Sequence, residues 1–379
     1  MRTLLLIPLF LIACNTGTQN KIEKVRFYVG SSDRGLEHPI ILCELDMSDG
    51  NISKLDSFAG TLSSSYLAVS PDKKFLFAVN SETDPETGNQ KVTGFSVHQE
   101  TGALELLNSQ SAEGRGACHI SVHPSGKYIF TANYSSGTIA VHPVNEDGNL
   151  APATDVEQHV GTGPDKDRQE AAHAHFICAD QQGKYVLAVD LGIDKVMNYR
   201  FDENTGELSP NPEQEYFQAA PGAGPRHLDF HPSGKYVYVL NELNGTLTAC
   251  TYSQESGVMN ELNTLSTLPD DFSGYNKSAA VRAHPNGKYV YASNRGDLNS
   301  IAVFKILEDG SVELIQVQDK NINWPRDFNI DPTGNWLLAE NLRANSIIVF
   351  TIDPETGKLA ETEYNIKISK PLCIVFLDD

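Results

Sequence analysis

Residues 231–241 read HPSGKYVYVLN, a proline–glycine turn followed by a run of aromatic and β-branched residues. The same pattern recurs along most of the chain, and its turn position returns every 47 to 57 residues. The other copies are HPSGKYIFTAN at 123–133, HPNGKYVYASN at 284–294, DPTGNWLLAEN at 331–341, DQQGKYVLAVD at 180–190 and SPDKKFLFAVN at 70–80. A period of this length is typical of one repeat architecture rather than of several unrelated domains.

Each copy contains four short predicted strands. An apolar strand leads into the turn, whose proline and glycine suit the second and fourth turn positions. The second strand ends at Asn or Asp, and a third strand follows, as at 138–141 and 300–304. An acidic turn that ends in glycine, as at 203–206, precedes the fourth strand. Four antiparallel strands per repeat form one blade of a β-propeller, so the sequence predicts an all-β fold.

The seventh blade is predicted to be split between the two ends of the chain. Residues 25–30 (VRFYVG) match a second strand that has no first strand before it, whereas residues 371–376 (PLCIVF) match a first strand. Pairing of these segments would close the ring and remove two exposed sheet edges. We therefore expect a single seven-bladed propeller over residues 23–379, in which the C-terminal strand joins the N-terminal blade.

Charge and motifs limit the classes of partner. With 29 Lys and Arg against 49 Asp and Glu, the formal charge is −20, which repels nucleic-acid backbones. The sequence has no phosphate-binding glycine loop, no dinucleotide fingerprint and no G-x-S-x-G nucleophile motif. Its six cysteines lack C-x-x-C spacing, which argues against a zinc site or a disulfide framework. We expect no metal, no cofactor and no nucleic-acid partner.

The first residues have the layout of an export signal. Arg2 precedes an apolar run over residues 4–12 that is too short for a permanent membrane span. The run ends in Leu-Ile-Ala-Cys at 11–14, which resembles the bacterial lipobox, so Cys14 is predicted to carry a lipid. Residues 1–14 would be the signal peptide and residues 15–22 a polar tether. A plain cleavable signal is the alternative. We expect a periplasmic or surface lipoprotein that contacts the membrane only through its anchor.

Equivalent positions of the blades ring the central channel, and two such columns vary in residue type. Eight residues before the turn stand Ser65, Cys118, His175, Arg226, Ala279 and Arg326. Eight residues after the turn stand Ser81, Tyr134, Leu191, Glu242, Arg295 and Leu342. Arginine presents a fork of donors to a carboxylate or an oxyanion, and His or Glu can take a proton from water. The columns predict a site for an anionic ester or lactone, although Arg226 and Glu242 could instead form a structural ion pair.

Four short motifs add a family resemblance that covers almost all of the chain after the tether. They are Gly224-Pro225-Arg226-His227, Asn241-Glu242-Leu243, Ser293-Asn294-Arg295-Gly296 and His173-Ala174-His175. These motifs resemble those of the lactonase family of seven-bladed propellers, which includes bacterial 6-phosphogluconolactonases and the fungal carboxy-cis,cis-muconate cyclase.

The resemblance implies a metal-independent lactone hydrolase. The catalytic residues that it implies are His175, Arg226, Glu242 and Arg295, with His173 as the alternative to His175. Expected substrate contacts are His173, His227, Arg326 and Tyr134. A His-x-His pair can also hold a metal, but no carboxylate at ligand spacing accompanies this one.

The predicted export bears on the substrate. Because the pentose-phosphate lactone is made in the cytoplasm, an exported enzyme is expected to meet aldonolactones, uronate lactones or similar sugar-acid lactones. The alternatives are a lactonising cyclase of the muconate type and a non-catalytic propeller that binds glycan or protein. Lactone hydrolysis that depends on Arg226 would separate an enzyme from a binding protein.

The lipobox makes a direct prediction for Cys14. Replacing it in Cys14→Ser removes the thiol that would be acylated, so the protein should leave the membrane fraction or accumulate unprocessed. Fractionation of cells that express each form measures this. Unchanged membrane association of Cys14→Ser would contradict the lipoprotein assignment.

Overall fold

A computed structural model describes residues 23–378 of the chain. The predicted signal peptide, the tether and Cys14 lie outside the described residues. The described residues form seven antiparallel sheets around a central channel, which confirms the predicted seven-bladed propeller. Within this part of the chain, no helix combines the length and the apolar character that a membrane crossing requires.

The blades follow the chain in order, and the last strand returns to the first blade. In chain order the strands are β1 (Lys24–Ser31), β2 (Ile40–Asp46) and β3 (Ile52–Phe58) of blade 1; β4 (Ser64–Val69), β5 (Phe75–Thr83), β6 (Gln90–Val97) and β7 (Leu104–Ser111) of blade 2; β8 (Ala117–Val122), β9 (Tyr128–Asn133), β10 (Thr138–Pro143) and β11 (Asp155–Gln158) of blade 3; β12 (Ala174–Ala179), β13 (Tyr185–Asp190), β14 (Lys195–Asp202), β15 (Glu207–Pro210) and β16 (Tyr216–Gln218) of blade 4; β17 (Pro225–Phe230), β18 (Tyr236–Asn241), β19 (Thr246–Tyr252) and β20 (Met259–Ser266) of blade 5; β21 (Asn276–Ala283), β22 (Tyr289–Gly296), β23 (Ser300–Ile306) and β24 (Val312–Gln318) of blade 6; β25 (Pro325–Ile330), β26 (Trp336–Asn341), β27 (Ser346–Ile352) and β28 (Leu359–Lys367) of blade 7; and β29 (Pro371–Phe376) of blade 1. One turn of 3₁₀-helix, Leu342–Ala344, joins β26 to β27.

Blade 4 has a broken outer edge. Its two short strands β15 and β16 both pair with β14 and together fill the position of a fourth strand. Pro210 is the last residue of β15 and Pro212 lies in the break, and a proline has no N–H to donate to a ladder. Blade 4 therefore has the four strand positions that the sequence predicted, but its outer strand is divided into two short strands.

The first strand of each blade lines the channel. Rings on four of these strands meet, with centroids 4.0 to 6.1 Å apart: Tyr66 on β4, His119 on β8, Phe176 on β12 and His227 on β17. Side chains from four blades can meet in this way only at the centre of a ring. Tyr66 borders a cavity on each side of this layer, so the rings divide the channel into two parts.

The ring of blades is closed as predicted. Strand β29 pairs with β1 in antiparallel register, with Phe27 opposite Phe376 and Val29 opposite Ile374. The rings of Phe27 and Phe376 lie 5.6 Å apart. Apolar clusters fill all seven spaces between neighbouring blades, including the space between blade 7 and blade 1.

Where the repeated turn carries a histidine, in blades 3, 5 and 6, it also joins that blade to the next. Nε2 of His231, in the turn of blade 5, donates to the carbonyl oxygen of Gly287 in the turn of blade 6, at 2.9 Å. His123 makes the same bond to Gly183, and His284 makes it to Gly334. A β-carbon at Gly287 would lie 2.7 Å from Nε2 of His231 and would need φ near +69°. Glycine is therefore required there by the neighbouring blade as well as by the turn.

The closing strand can be tested by truncation after Lys370. Removing β29 exposes the inner edge of blade 1 and the apolar side chains that it covers. We expect the truncated protein to aggregate or to lose its cooperative thermal transition, as measured by circular dichroism and light scattering. Leu55→Ala is the matched control, because Leu55 is an exposed residue of blade 1. A truncated protein that melts like the full chain would show that the ring does not depend on β29.

Candidate active site

The site lies at the end of the channel where the first strands begin. A cavity of about 450 Å³ opens there, and five of the predicted residues line it: Tyr134, His175, Glu242, Arg295 and Arg326. A narrower cavity of about 200 Å³ continues toward the ring layer and adds Arg226 and His227. The two cavities share His175 and Arg326 as wall residues. The structure thus brings seven of the eight predicted residues to one place.

Glu242 is the negative centre of this site. Its Oε2 atom lies 3.0 Å from Nε of Arg226 and 3.1 Å from Nη2 of Arg295, and its Oε1 accepts from Nη2 of Arg168 at 2.8 Å. Burial alone would raise the pKa of this carboxyl, but the three guanidiniums outweigh it and lower the pKa to about 2. Glu242 is therefore ionised at neutral pH and fully engaged in ion pairs.

The arginines are fixed before any substrate arrives. Nη1 of Arg226 donates to the carbonyl oxygen of Ala279, and Nη2 of Arg295 donates to that of Ser278. Burial and the nearby Arg326 lower the pKa of Arg226 to about 10. Burial and Arg226 lower the pKa of Arg295 to about 9. Both stay charged at neutral pH.

Cationic side chains outnumber carboxylates in the walls of these two cavities. Glu242 and Asp327 are the carboxylates, and they stand against five cations, so the formal charge of the lining is +3; the cations are Arg168, Arg226, Lys277, Arg295 and Arg326. A region with this excess attracts anionic groups and developing negative charge. The same field opposes the binding of a metal cation.

His175 is a buried histidine whose ring is free to react. Burial, followed by the charges of Arg226 and Arg326, holds its pKa well below 6.5, so the imidazole is neutral at neutral pH. Its Nδ1 atom is buried without a hydrogen-bond partner among residues 23–378. The ring makes edge contacts with Tyr134 and His227 instead. The group can accept or deliver a proton without first breaking a protein hydrogen bond.

His227 is held in one tautomer. Nη1 of Arg226 lies 3.0 Å from Nε2 of His227, and because a guanidinium only donates, Nε2 must be the acceptor. The ring proton is then on Nδ1, which is buried and lacks a partner in the described part of the chain. His227 therefore presents a donor beside the narrower cavity.

His173 occupies a different position from the other predicted residues. Its ring stacks on Tyr134 at 4.4 Å, nearly parallel, and lines neither cavity. Its Nδ1 atom donates to the carbonyl oxygen of Tyr134, and Nε2 lies 3.2 Å from Glu170. Of the two histidines in the motif, the structure places His175 in the cavity and His173 behind Tyr134.

Three cavity residues were missed by the comparison of blades. Arg168 lies in the loop 159–173 between β11 and β12, which has no counterpart in the repeat, although the 57-residue interval between Gly126 and Gly183 is the longest in the chain. Lys277 lies on β21, which begins at Asn276, three residues before the Ala279 position that the repeat predicted. Trp324 precedes β25 and also lines the cavity.

Asp194 connects the loop that contains Arg168 to the loop that precedes Arg226. Its carboxylate accepts from Nε2 of Gln169, next to Arg168, at 2.7 Å. It also accepts from the backbone N–H groups of Gly222 and Gly224, ahead of Arg226, at 2.7 and 2.8 Å. Both loops are thereby fixed to one buried side chain.

Comparison with known proteins identifies the family of this chain. The family model "Lactonase, 7-bladed beta-propeller" matches residues 26–376. The 6-phosphogluconolactonase of Bacillus subtilis is 34% identical over 351 residues, which cover 92% of this chain and 97% of that protein. A candidate 6-phosphogluconolactonase of Bacteroides fragilis has a solved structure with 35% identity and a TM-score of 0.86, covering 94% of this chain and 99% of that one. The periplasmic gluconolactonase PpgL of Pseudomonas aeruginosa has 26% identity and a TM-score of 0.85, with 93% and 99% covered. The chain therefore belongs to the lactonase family of seven-bladed β-propellers, as its sequence motifs predicted.

Proposed function

We propose that this lactonase hydrolyses a sugar-acid lactone by direct attack of water, with His175 as the general base. The observation that carries the proposal is a neutral, buried imidazole, whose Nδ1 has no hydrogen-bond partner in the described part of the chain, beside a cluster of guanidiniums that are already fixed in place. A neutral base is needed to take a proton from water, and fixed positive charge is needed where the carbonyl oxygen becomes negative.

The reaction proceeds in two balanced steps. His175 takes a proton as the water oxygen bonds to the lactone carbonyl carbon, and the carbonyl oxygen becomes an oxyanion beside Arg226 and Arg295. The bond between that carbon and the ring oxygen then breaks, and the ring oxygen receives the proton from His175. The products are a hydroxyl group and a carboxylic acid, which loses its proton to solvent at neutral pH.

Glu242 has a positioning role in this proposal. A carboxyl whose pKa is lowered to about 2 is a very weak base, so it is poorly suited to activate water at neutral pH. It lies within ion-pair distance of Arg168, Arg226 and Arg295 and fixes the orientation of their guanidinium groups. Of the two bases that the sequence left open, we favour His175, because Glu242 is engaged in three ion pairs whereas Nδ1 of His175 has no hydrogen-bond partner among residues 23–378.

The substrate class follows from the predicted export. An exported lactonase would meet sugar-acid lactones that are not phosphorylated, such as aldonolactones released by the breakdown of glycans. The similarity to the periplasmic gluconolactonase of Pseudomonas aeruginosa supports this choice. The names of other relatives point to a phosphorylated lactone, so an assay should include both kinds.

Conservative substitutions test the guanidinium cluster. Arg226→Lys keeps the charge but loses the planar fork, and Glu242→Gln removes the charge that holds three arginines. Each should lower kcat for gluconolactone roughly 10²–10³-fold, as expected for loss of a fixed oxyanion donor. Arg200→Lys, at an exposed position of blade 4, is the control. Wild-type rates in both variants, with thermal melts showing that they are folded, would rule out this site.

The pH dependence tests His175 as the base. Its unprotonated form is the active one, and its pKa is held well below the ordinary histidine value of about 6.5, so kcat/KM should be level near neutral pH and fall only at a pH well below that value. His175→Gln should lower kcat roughly 10²–10⁴-fold and abolish the acid limb. An acid limb centred above pH 7, or an unchanged rate in His175→Gln, would contradict the assignment. Spontaneous hydrolysis is subtracted at each pH.

A further inference from the structure

A third cavity, of about 450 Å³, adjoins the cavity lined by Tyr134, Glu242 and Arg295, which we call the site cavity. We call the third cavity the outer cavity, and its walls are Asp165, Asp167, Arg168, Leu243 and residues 274–277. Arg168 and Lys277 also line the site cavity, so these two side chains stand between the two spaces. Each space falls in the range of small-molecule sites, roughly 300–1,000 Å³. A ligand that fills both would pass between Arg168 and Lys277.

The two cavities differ in charge. The site cavity has an excess of positive charge, whereas the outer cavity sets Asp165 and Asp167 against Arg168 and Lys277 and is formally balanced. A balanced set of carboxylates, cations and the Asn276 amide offers both acceptors and donors, as neutral hydroxyl groups require. The outer cavity therefore suits an uncharged polyhydroxylated group better than a second anion.

Tyr275 gives the outer cavity an exposed aromatic face. The residue is 52% exposed, but its backbone is fixed: its N–H donates to Oδ2 of Asp297 at 2.8 Å, and its carbonyl accepts from the N–H of Asp297 at 2.9 Å. The ammonium group of Lys277 lies 5.7 Å from the centre of the ring. An aromatic ring on a rigid backbone, beside hydrogen-bonding groups, can stack on the C–H face of a sugar ring.

We infer that the outer cavity binds a second sugar unit, so that the preferred substrate is a sugar-acid lactone that carries a glycosyl substituent. The inference rests on the proposed lactone hydrolysis and specifies its substrate. The lactone ring would occupy the site cavity, and the glycosyl unit would pass Arg168 and Lys277 and stack on Tyr275. The glycosidic bond takes no part in the reaction, since only the ester bond of the lactone breaks.

The test compares gluconolactone with cellobionolactone, its glucosyl derivative. The wild-type protein should show the higher kcat/KM for cellobionolactone. Tyr275→Ala should lower kcat/KM for cellobionolactone about three- to tenfold, as loss of an aromatic contact implies, and leave that for gluconolactone unchanged. Tyr275→Phe keeps the ring and should behave as the wild type.

Tyr216→Ala is the matched control. Tyr216 is also an exposed tyrosine, with Lys195 above its ring, but it lies on the outer edge of blade 4 and lines neither cavity. It should change neither rate. Equal kcat/KM for the two lactones in the wild type, or equal effects of Tyr275→Ala on both, would overturn the inference while leaving the lactonase proposal intact.

Binding of the reaction products separates the two proposals further. Calorimetry should show that cellobionate binds more tightly than gluconate, and that Tyr275→Ala removes the difference. If the wild-type protein binds the two products in this way but hydrolyses neither lactone, the proposed hydrolysis is overturned and the sugar subsite is supported. Equal binding of cellobionate and gluconate by the wild type would overturn the subsite.

Discussion

The hydrogen bond from a turn histidine to the turn glycine of the next blade is the directional constraint that joins blade 3 to blade 4, blade 5 to blade 6 and blade 6 to blade 7. Apolar contacts fill the spaces between the blades, but such contacts have little directionality. The imidazole bond has a direction, and in blade 5 Nδ1 of His231 is held by the backbone of Ser233 while Nε2 reaches Gly287. The same motif adds a second bond, because the hydroxyl of Tyr128 donates to the carbonyl oxygen of Glu203 in the next blade. A turn that carries the histidine thus fixes both the blade that contains it and the angle to the next blade.

That fixed angle explains how the site is built. Most of the side chains at the channel mouth come from the first and second strands of the blades, so their spacing is set by the frame; Arg168, in the loop 159–173, is an exception. Burying an ion pair generally costs more in desolvation than it returns in attraction. The cluster around Glu242 is therefore better explained by a need for organised positive charge than by stability. A frame that holds itself together at the turns can carry such a cluster at its other end.

The fold could be predicted from sequence because the turn motif and the split blade are visible in short segments such as 231–241 and 371–376. The columns also found His175, Arg226 and Arg295, since equivalent positions in a ring converge. They did not find Arg168, whose loop has no counterpart in the other blades, or Lys277, whose strand begins earlier than the repeat predicted. The separation of roles between His175 and Glu242 depends on burial and on the number of nearby guanidiniums, and neither quantity can be read from residue types.

The starting point of β1 has a consequence for how the molecule would be oriented. The strand begins at the face that carries the turns, where the carbonyl oxygen of Glu23 accepts from the N–H of Met47, and the cavity with Arg226 opens at the opposite face. Any attachment that precedes Glu23 therefore meets the propeller on the side away from its site. A lipid at Cys14 would set the turn face toward the bilayer and aim the cavity mouth into the aqueous space. Water-soluble sugar lactones could then reach the arginines without passing along the membrane surface.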